Sequence, residues 1–195
     1  MTPRGPYAKG VARREEILTV ALELFSRQGY DRTSFREVAR ATGLTQAGLL
    51  HHFGSKEELF VEVLRRRDAR NEDRYDVNRG QPLTVDGLIS VVRHNAEEPG
   101  LVRLYVAMSS ESTDAQSEAR EFFGQRFQSL IAGIAEDVRS KQEAGEIASD
   151  LDPEVIASLL IAAADGLQIQ WLLNPSGVDM GERLGRLWSA LQRVR

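Results

Sequence analysis

The chain of 195 residues is 42% hydrophobic and 28% charged, which is typical of a globular protein and gives no sign of intrinsic disorder. Its net charge of −4 combines a basic excess over residues 1–56 with an acidic remainder, the pattern of a small polyanion-binding module on an acidic body. The lack of cysteine excludes disulfides and thiolate metal ligands, no secretory signal is visible, and the longest apolar run is too short to span a membrane, so we expect a cytoplasmic protein without membrane contact.

The first predicted elements are a flexible basic arm over residues 1–11 and a helix that begins near Arg13. Apolar residues recur there at the spacing of one helix face, at Ile17, Ala21, Leu24 and Phe25. Gly29 is placed to end this helix.

A helix-turn-helix is predicted over about residues 34–53. Ser34 has the N-cap residue type, and Glu37 follows it at the spacing of a capping box. Gly43 breaks this second helix after about two turns, and Thr45 can cap a third helix. The result is a helix, a tight glycine turn and another helix.

A fourth helix opens at Ser55, where Glu58 again has capping-box spacing, and its continuation over residues 65–79 is almost wholly polar. That stretch is either a solvated helix or a linker, and it contains the expected domain boundary. Apolar residues beyond it keep helical spacing over 83–92, 101–110, 115–144, 155–173 and 180–191. The sequence therefore predicts an all-α fold with an N-terminal three-helix domain over 12–65 and a C-terminal helical bundle over 66–195.

The third predicted helix points to a function, although a purely structural three-helix bundle would share its geometry. Its polar surface consists of small or hydrogen-bonding residues without a carboxylate, namely Gln46, Ala47, Gly48, His51 and His52. A carboxylate would be repelled by the phosphates that line a DNA groove. Gln46 can pair with an adenine edge, Ala47 can touch a thymine methyl group, and Gly48 allows close approach.

The sequence around this helix resembles the tetracycline-repressor (TetR) family of bacterial regulators. The matching residues lie at 21–30, 33–34, 38–39, 43–44 and 49–59, so the resemblance covers about residues 12–65. Beyond them, only the helical layout and residues 165–167 look similar. The resemblance implies that the third helix enters the major groove of operator DNA.

The DNA-binding set implied by the resemblance and supported by residue chemistry is Thr33, Ser34, Arg36, Thr45, Gln46, Ala47, Gly48, His51, His52 and Lys56. Within it, Thr33, Arg36 and Lys56 are expected to hold phosphates. Leu50 departs from the family, which usually places a backbone-contacting tyrosine at this position. We therefore expect His51 or His52 to carry more of the binding.

Asp152 and Pro153 have the residue types of an N-cap and a first-turn proline for a helix that Asn174 and Pro175 end after Leu173. This predicted helix is apolar almost all round over 155–173, which suits a helix that is covered on every side. One interpretation is that it joins the last helix in an intersubunit four-helix bundle, which the resemblance also implies. The other is a central helix of a monomeric core. The predicted dimer interface is Ile156, Leu160, Leu167, Leu184, Leu187, Trp188 and Leu191.

Aromatic and polar residues of the C-terminal region are either core residues or the lining of a ligand cavity, and composition does not separate the two. The candidate ligand residues are His94, Tyr105, Met108, Phe123, Phe127, Asp165 and Trp171. Structural roles are favoured for Asp165, and a core or pocket-wall role for His94. No metal is expected, because adjacent histidines on a helix point about 100° apart and no third ligand joins them.

The function these patterns favour is a homodimeric repressor that a small, largely apolar ligand releases from DNA. The alternative is a dimeric DNA-binding regulator whose C-terminal domain responds to a protein partner. An enzyme is disfavoured, because the sequence has no P-loop, dinucleotide-type glycine motif, nucleophile elbow or zinc-protease motif. No cofactor is expected.

Overall fold

The computed structural model describes residues 6–28, 33–75, 82–148 and 150–193. Within these residues all regular secondary structure is helical, and turns and loops connect the helices. The all-α prediction is thereby confirmed. In chain order the helices are α1 (Pro6–Gln28), α2 (Phe35–Ala41), α3 (Gln46–His52), α4 (Lys56–Tyr75), α5 (Val85–Asn95), α6 (Pro99–Glu111), α7 (Ala119–Glu143), α8 (Pro153–Leu173) and α9 (Met180–Leu191).

Helix α1 begins at Pro6, inside the segment predicted to be a flexible basic arm. Proline suits the first turn of a helix, because its missing N–H would have no partner there. Residues 6–11 are therefore helical, and only residues 1–5 of the predicted arm lie outside the described part of the chain. The predicted apolar face is buried, apart from Leu24, which is partly exposed.

The chain divides into two compact units, Met1–Ala69 with Glu98–Ala119, and Arg70–Glu97 with Arg120–Arg195. The break after Ala69 lies within the polar stretch where the sequence placed a domain boundary. The predicted division differs in α6, which was assigned to the C-terminal domain but belongs to the first unit.

Helix α6 belongs to the first unit because it packs on α1. Its buried side chains include Leu104 and Met108, and a hydrogen bond from the Ser26 hydroxyl to Glu98, at 2.8 Å, joins α1 to the residue before α6. The core of this unit also holds Phe25 of α1 against Phe60 of α4, edge to face at 5.1 Å between ring centres. Sequence periodicity shows that a helix is amphipathic, but it does not show which helix it packs against.

In the second unit α9 packs on α5 and α8. The start of α5 is held by α7, because the Asp137 carboxylate accepts the Val85 N–H at 2.9 Å. Gly133 permits close approach here, since a Cβ at this position would stand 2.9 Å from the Leu83 nitrogen. Helix α7 and the start of α5 are therefore in backbone contact.

Helix α8 has the predicted start, with Asp152 as N-cap and Pro153 in the first turn. At 21 residues and a mean hydropathy of 1.5 it is long and apolar enough to cross a membrane by composition alone. Core helices of soluble proteins pass the same test, and 44% of this segment is buried. The helix therefore carries no argument for a membrane span.

Part of the predicted dimer interface is buried within the chain. Five members of that set are buried in their own unit, namely Ile156, Leu160, Leu167, Leu184 and Trp188. The exposed apolar face of α8 consists instead of Val155, Leu159, Ile169 and Leu173, and Leu187 of α9 is also exposed. A helix that is apolar all round contains no periodic signal for its exposed face, so the sequence did not separate these residues from the buried ones.

Candidate nucleic-acid interface

Helix α2 and the turn after it have the predicted caps. The Ser34 hydroxyl accepts the Glu37 N–H at 3.2 Å, while the Glu37 carboxylate pairs with Arg40, so only half of the predicted capping box forms. Gly43 has φ +67°, and the N–H of Leu44 donates to the Ala39 carbonyl at 2.8 Å. This Schellman ending requires a left-handed residue, which explains the glycine.

Helix α3 presents one polar side and buries the other. Thr45 caps it by accepting the Gly48 N–H at 3.0 Å, as predicted. Leu49 is fully buried and anchors the helix, whereas the side chains of Gln46, Ala47 and His51 are exposed. The exposed side therefore offers an amide, a methyl group and an imidazole, which are the groups that read base edges.

Two adjacent arginines of α1 hold the ends of α2 and α3. The guanidinium of Arg13 donates to the Thr42 carbonyl at the end of α2, and that of Arg14 donates to the His52 carbonyl at the end of α3. Cationic groups are favourable at helix C-termini because the last carbonyls lack partners and carry the negative end of the helix dipole.

Arg14 also contacts the start of α4. It pairs with Glu58 at 3.0 Å, and its guanidinium carbon lies 4.2 Å from the centre of the Phe53 ring. The sequence suggested only basic character for Arg13 and Arg14. Their contacts reach 29 and 38 residues along the chain, a distance at which sequence patterns carry no signal.

The predicted phosphate contacts differ in their surroundings. Ser34, Arg36 and Lys56 are exposed, and Lys56 is the first residue of α4, where free N–H groups favour an anion. Thr33, by contrast, is buried, and its hydroxyl donates to the Leu24 carbonyl at 3.4 Å. The Thr33 side chain therefore supports the local fold and does not offer its hydroxyl to a phosphate.

A cleft of about 520 Å³ beside Lys56 is rich in carboxylates. Glu118, in the loop before α7, contacts the start of α4. Its N–H donates to the Glu57 carboxylate at 3.1 Å, and its carboxylate accepts the Ser55 hydroxyl. Glu111 lines the same cleft. This negative charge disfavours an anion inside the cleft, so Lys56 is suited to contact phosphates only on its solvent side.

The two remaining residues of the helix are His52, which is partly exposed, and Leu50, which is 44% exposed. Leu50 stands where the family resemblance would place a tyrosine. An exposed leucine offers no hydrogen bond to a phosphate, but it can make apolar contact with a sugar or a thymine methyl group. The rings of His51 and His52 lie 5.9 Å apart between centres.

The candidate ligand residues are divided between the two units. Tyr105 and Met108 are buried in the first unit, and the others belong to the second. Phe123 packs between Phe122 and Phe127, with 5.1 and 6.3 Å between ring centres. This arrangement fits a core role for Phe123.

Among the other candidates of the second unit, His94 contacts the Ser90 carbonyl at 2.7 Å through Nδ1, a local helix bond. Asp165 accepts a hydrogen bond from Gln168 at 3.1 Å. Trp171 lines a cleft of about 320 Å³ that also includes Arg93 and Asp179. Trp171 thus borders an open cleft of the second unit.

Comparison with known proteins identifies the family. The family model of bacterial regulatory proteins of the tetR family matches residues 17–63, and that of the C-terminal region of BetI-type transcriptional repressors matches residues 86–192. The chain is 26% identical over 190 residues to the HTH-type transcriptional repressor AcnR of Corynebacterium efficiens, with 95% of each chain covered.

Two solved structures share the fold. A transcriptional regulator from Saccharomonospora viridis in complex with choline has a TM-score of 0.71 and 26% identity, covering 94% of this chain and 97% of that one. FadR of Thermus thermophilus in complex with lauroyl-CoA has a TM-score of 0.62 and 22% identity, covering 91% and 92%. Together with the two family matches, these similarities show that the chain belongs to the TetR family, whose members are DNA-binding transcriptional regulators and not enzymes.

Proposed function

We propose that this protein is a homodimeric transcriptional repressor whose α3 helix reads operator DNA and which a small ligand releases. The observation that carries the proposal is the exposed side of α3, where Gln46, Ala47 and His51 project without a carboxylate among them. Thr45 caps this helix, the guanidinium of Arg14 holds its last turn, and Ser34 caps the preceding helix α2.

In this proposal direct readout belongs to α3 and positioning belongs to its neighbours. Gln46 pairs with an adenine edge, Ala47 meets a thymine methyl group, and Gly48 keeps the backbone close to the bases. Arg36 and Lys56 hold phosphates on either side of the helix. The proposed contact surface is completed by Thr45, Ser34 and His52. Thr33 does not contact DNA in this proposal, and its buried side chain supports the local fold.

The homodimer part of the proposal rests on the exposed apolar side chains of α8 and α9. Leu173 is 82% exposed and Leu159 61% exposed, values that are unfavourable for leucine in water. A contiguous apolar face of this kind marks an interaction surface. A second copy of the chain would cover it with its own α8 and α9, and Leu187 and the partly exposed Leu191 would join the contact.

A two-fold dimer explains how the protein would recognise its operator. It would present two α3 helices, and operator half-sites would mirror that symmetry at a spacing of about one helical turn. The ligand would bind within residues 66–195, the predicted C-terminal region, and change the spacing of the two α3 helices. A difference of about 1–3 kcal/mol in ligand affinity between the two arrangements changes operator occupancy about 5–150-fold.

The related structures support a small-molecule ligand. The choline complex and the lauroyl-CoA complex show that regulators of this fold bind quite different small molecules. By analogy, we propose that this protein is a cytoplasmic regulator and that its effector is a small, largely apolar molecule. The alternative, a protein partner at the C-terminal region, predicts that no small molecule copurifies with the protein or alters its DNA binding.

The proposal is tested by measuring binding to duplex DNA as a function of salt concentration. We expect Lys56→Ala to weaken binding to every duplex and to flatten the slope of log affinity against log salt by about one for each phosphate that the lysine neutralises. Arg186→Ala, which removes an exposed cation of α9, is the matched control and leaves the slope unchanged. A wild-type protein that ignores duplex of any sequence at low ionic strength would contradict the proposal.

A further inference from the structure

Arg67 on α4 is a buried cation with incomplete hydrogen bonding. Its side chain is 3% exposed, and its Nη2 donates to the Asp68 carboxylate at 3.1 Å. Its guanidinium carbon lies 5.2 Å from the centre of the Tyr105 ring on α6. Among the residues that the structure describes, none accepts a hydrogen bond from Nε or Nη1 of Arg67.

Such an arrangement is unfavourable for the protein by itself. Arginine stays charged in proteins, so a buried guanidinium cannot relieve its desolvation by losing a proton. Buried donors are nearly always paired, and each unpaired one lowers stability. The single bond to Asp68 and the face of Tyr105 leave the donors of two nitrogens unsatisfied.

We propose that Nε and Nη1 of Arg67 bind an anionic oxygen of the effector, a carboxylate or a phosphate group. This inference rests on the proposed ligand-responsive function and adds the chemical class of the ligand. Guanidinium groups are the preferred partners of both anions, and burial strengthens the charge-assisted hydrogen bonds. Tyr105, which lies against Arg67, and the buried residues Leu104 and Met108 of the same helix are largely apolar, so we expect the remainder of the ligand to be apolar as well.

The position of Arg67 on α4 gives this contact a direct consequence for DNA binding. The helix begins at Lys56, the proposed phosphate contact, and Arg67 follows eleven residues later, a rise of about 16 Å. Both residues belong to the same unit and to one continuous helix. An anion that draws Arg67 toward itself therefore acts on the helix that presents Lys56.

The inference is tested by isothermal titration calorimetry of the full chain with three probes that share one apolar tail: octanoate, octyl phosphate and octanol. We expect at least one of the two anions to bind the wild-type protein about tenfold or more tightly than octanol. Arg67→Met keeps the apolar stem and removes the charge, and it abolishes this preference. Arg65→Met, an exposed arginine of the same helix, is the matched control and retains it.

A measurement on the wild-type protein guards against a variant that fails to fold. The nuclear magnetic resonance signal of the Arg67 Nε–H shifts on addition of the preferred anion and not of octanol. A larger affinity gain over octanol for octanoate indicates a carboxylate ligand, and a larger gain for octyl phosphate indicates a phosphate ligand. Either result supports the inference. Equal affinity for all three probes, no binding of either anion, or a preference that survives in Arg67→Met overturns it.

The same proteins are assayed for duplex binding without any probe, which separates the two proposals. Duplex binding without an anion preference would refute the Arg67 site and leave the DNA-binding proposal intact. A wild-type protein that does not bind duplex refutes the proposed function, whatever the probes do.

Discussion

At the scale of single residues, Arg14 connects the end of α3 to the start of α4. Its guanidinium donates to the His52 carbonyl, lies over the Phe53 ring and pairs with Glu58. Glu58 in turn accepts the Gly54 N–H at 2.8 Å. The Arg14–Glu58 ion pair therefore holds two backbone groups between α3 and α4, the His52 carbonyl through Arg14 and the Gly54 N–H through Glu58. The orientation of α3 thus depends on a residue that is distant from it in sequence.

Arg14→Met should therefore lower the free energy of unfolding by about 1–2 kcal/mol, the expected loss for a charge-assisted hydrogen bond that is partly exposed. It should also weaken binding to specific DNA, because α3 loses the bond that fixes its last turn. Urea denaturation and fluorescence anisotropy with labelled duplex measure the two effects.

Arg66→Met is the control for this prediction. Arg66 has similar exposure and also joins α4 to α1 through an ion pair, with Glu15, but it does not touch α3. Its loss should cost about 0.2–1 kcal/mol and leave DNA affinity unchanged. Equal effects of the two substitutions on DNA affinity would show that Arg14 does not position α3 for DNA binding.

Residues that act through their immediate neighbours in the chain were predictable from the sequence. Ser34, Gly43 and Thr45 have the predicted turn and cap roles because each bond closes within a few residues. Arg14 and Arg67 were not predictable, because the role of each depends on partners or burial that only the tertiary fold creates. Thr33 shows the same limit, since its burial removes the hydroxyl from the predicted phosphate contacts.

At the scale of helices, α7 contains two glycines with different surroundings. A Cβ at Gly133 would stand 2.9 Å from a backbone nitrogen of the segment before α5, whereas a Cβ at Gly124 would meet no atom within 4 Å. Packing therefore requires glycine at the first position, and the second is an exposed helix site where glycine only lowers helix propensity.

We expect opposite effects of alanine at these two positions. Gly133→Ala should destabilise the protein by about 1–3 kcal/mol, because backbone must move to admit the methyl group. Gly124→Ala should stabilise it by about 0.5–1 kcal/mol through helix propensity. Chemical denaturation of both variants checks the pair, and a neutral Gly133→Ala would mean that α7 does not approach the start of α5 so closely.

For helix α8, the ends were predictable from the sequence, but the exposed face was not. Its length, its N-cap and its C-terminal end near Asn174 follow from local signals and are confirmed. Its exposed face could not be identified from the sequence, because apolar residues occur on all sides and burial alone distinguishes Leu159 from Leu160. Helix α6 likewise joined an unexpected unit, since periodicity does not identify a packing partner.

At the scale of the whole molecule, the dimer proposal depends on the exposed apolar face of α8. A stable interface covers roughly 800 Å² on each partner, and a charge placed near its centre is strongly unfavourable. Leu159→Glu should therefore produce a monomer in sedimentation velocity and lose affinity for a two-half-site operator. Val11→Glu, at an exposed apolar residue of α1, is the control and should remain a dimer.

Retention of the dimer by Leu159→Glu would place the interface elsewhere on the molecule. Loss of the dimer by both variants would indicate a general solubility effect of the added carboxylate. Only the selective result supports pairing through α8.

The central claim is that α3 reads base edges and that a two-fold dimer presents it in duplicate. Selection of bound sequences from random duplex DNA, with the wild-type protein and with Gln46→Ala, tests it most directly. The account predicts a palindromic consensus for the wild type, and the loss of preference at one symmetric pair of positions in the variant, at a cost of about 1–3 kcal/mol. A consensus without two-fold symmetry, or an identical consensus from Gln46→Ala, would contradict it.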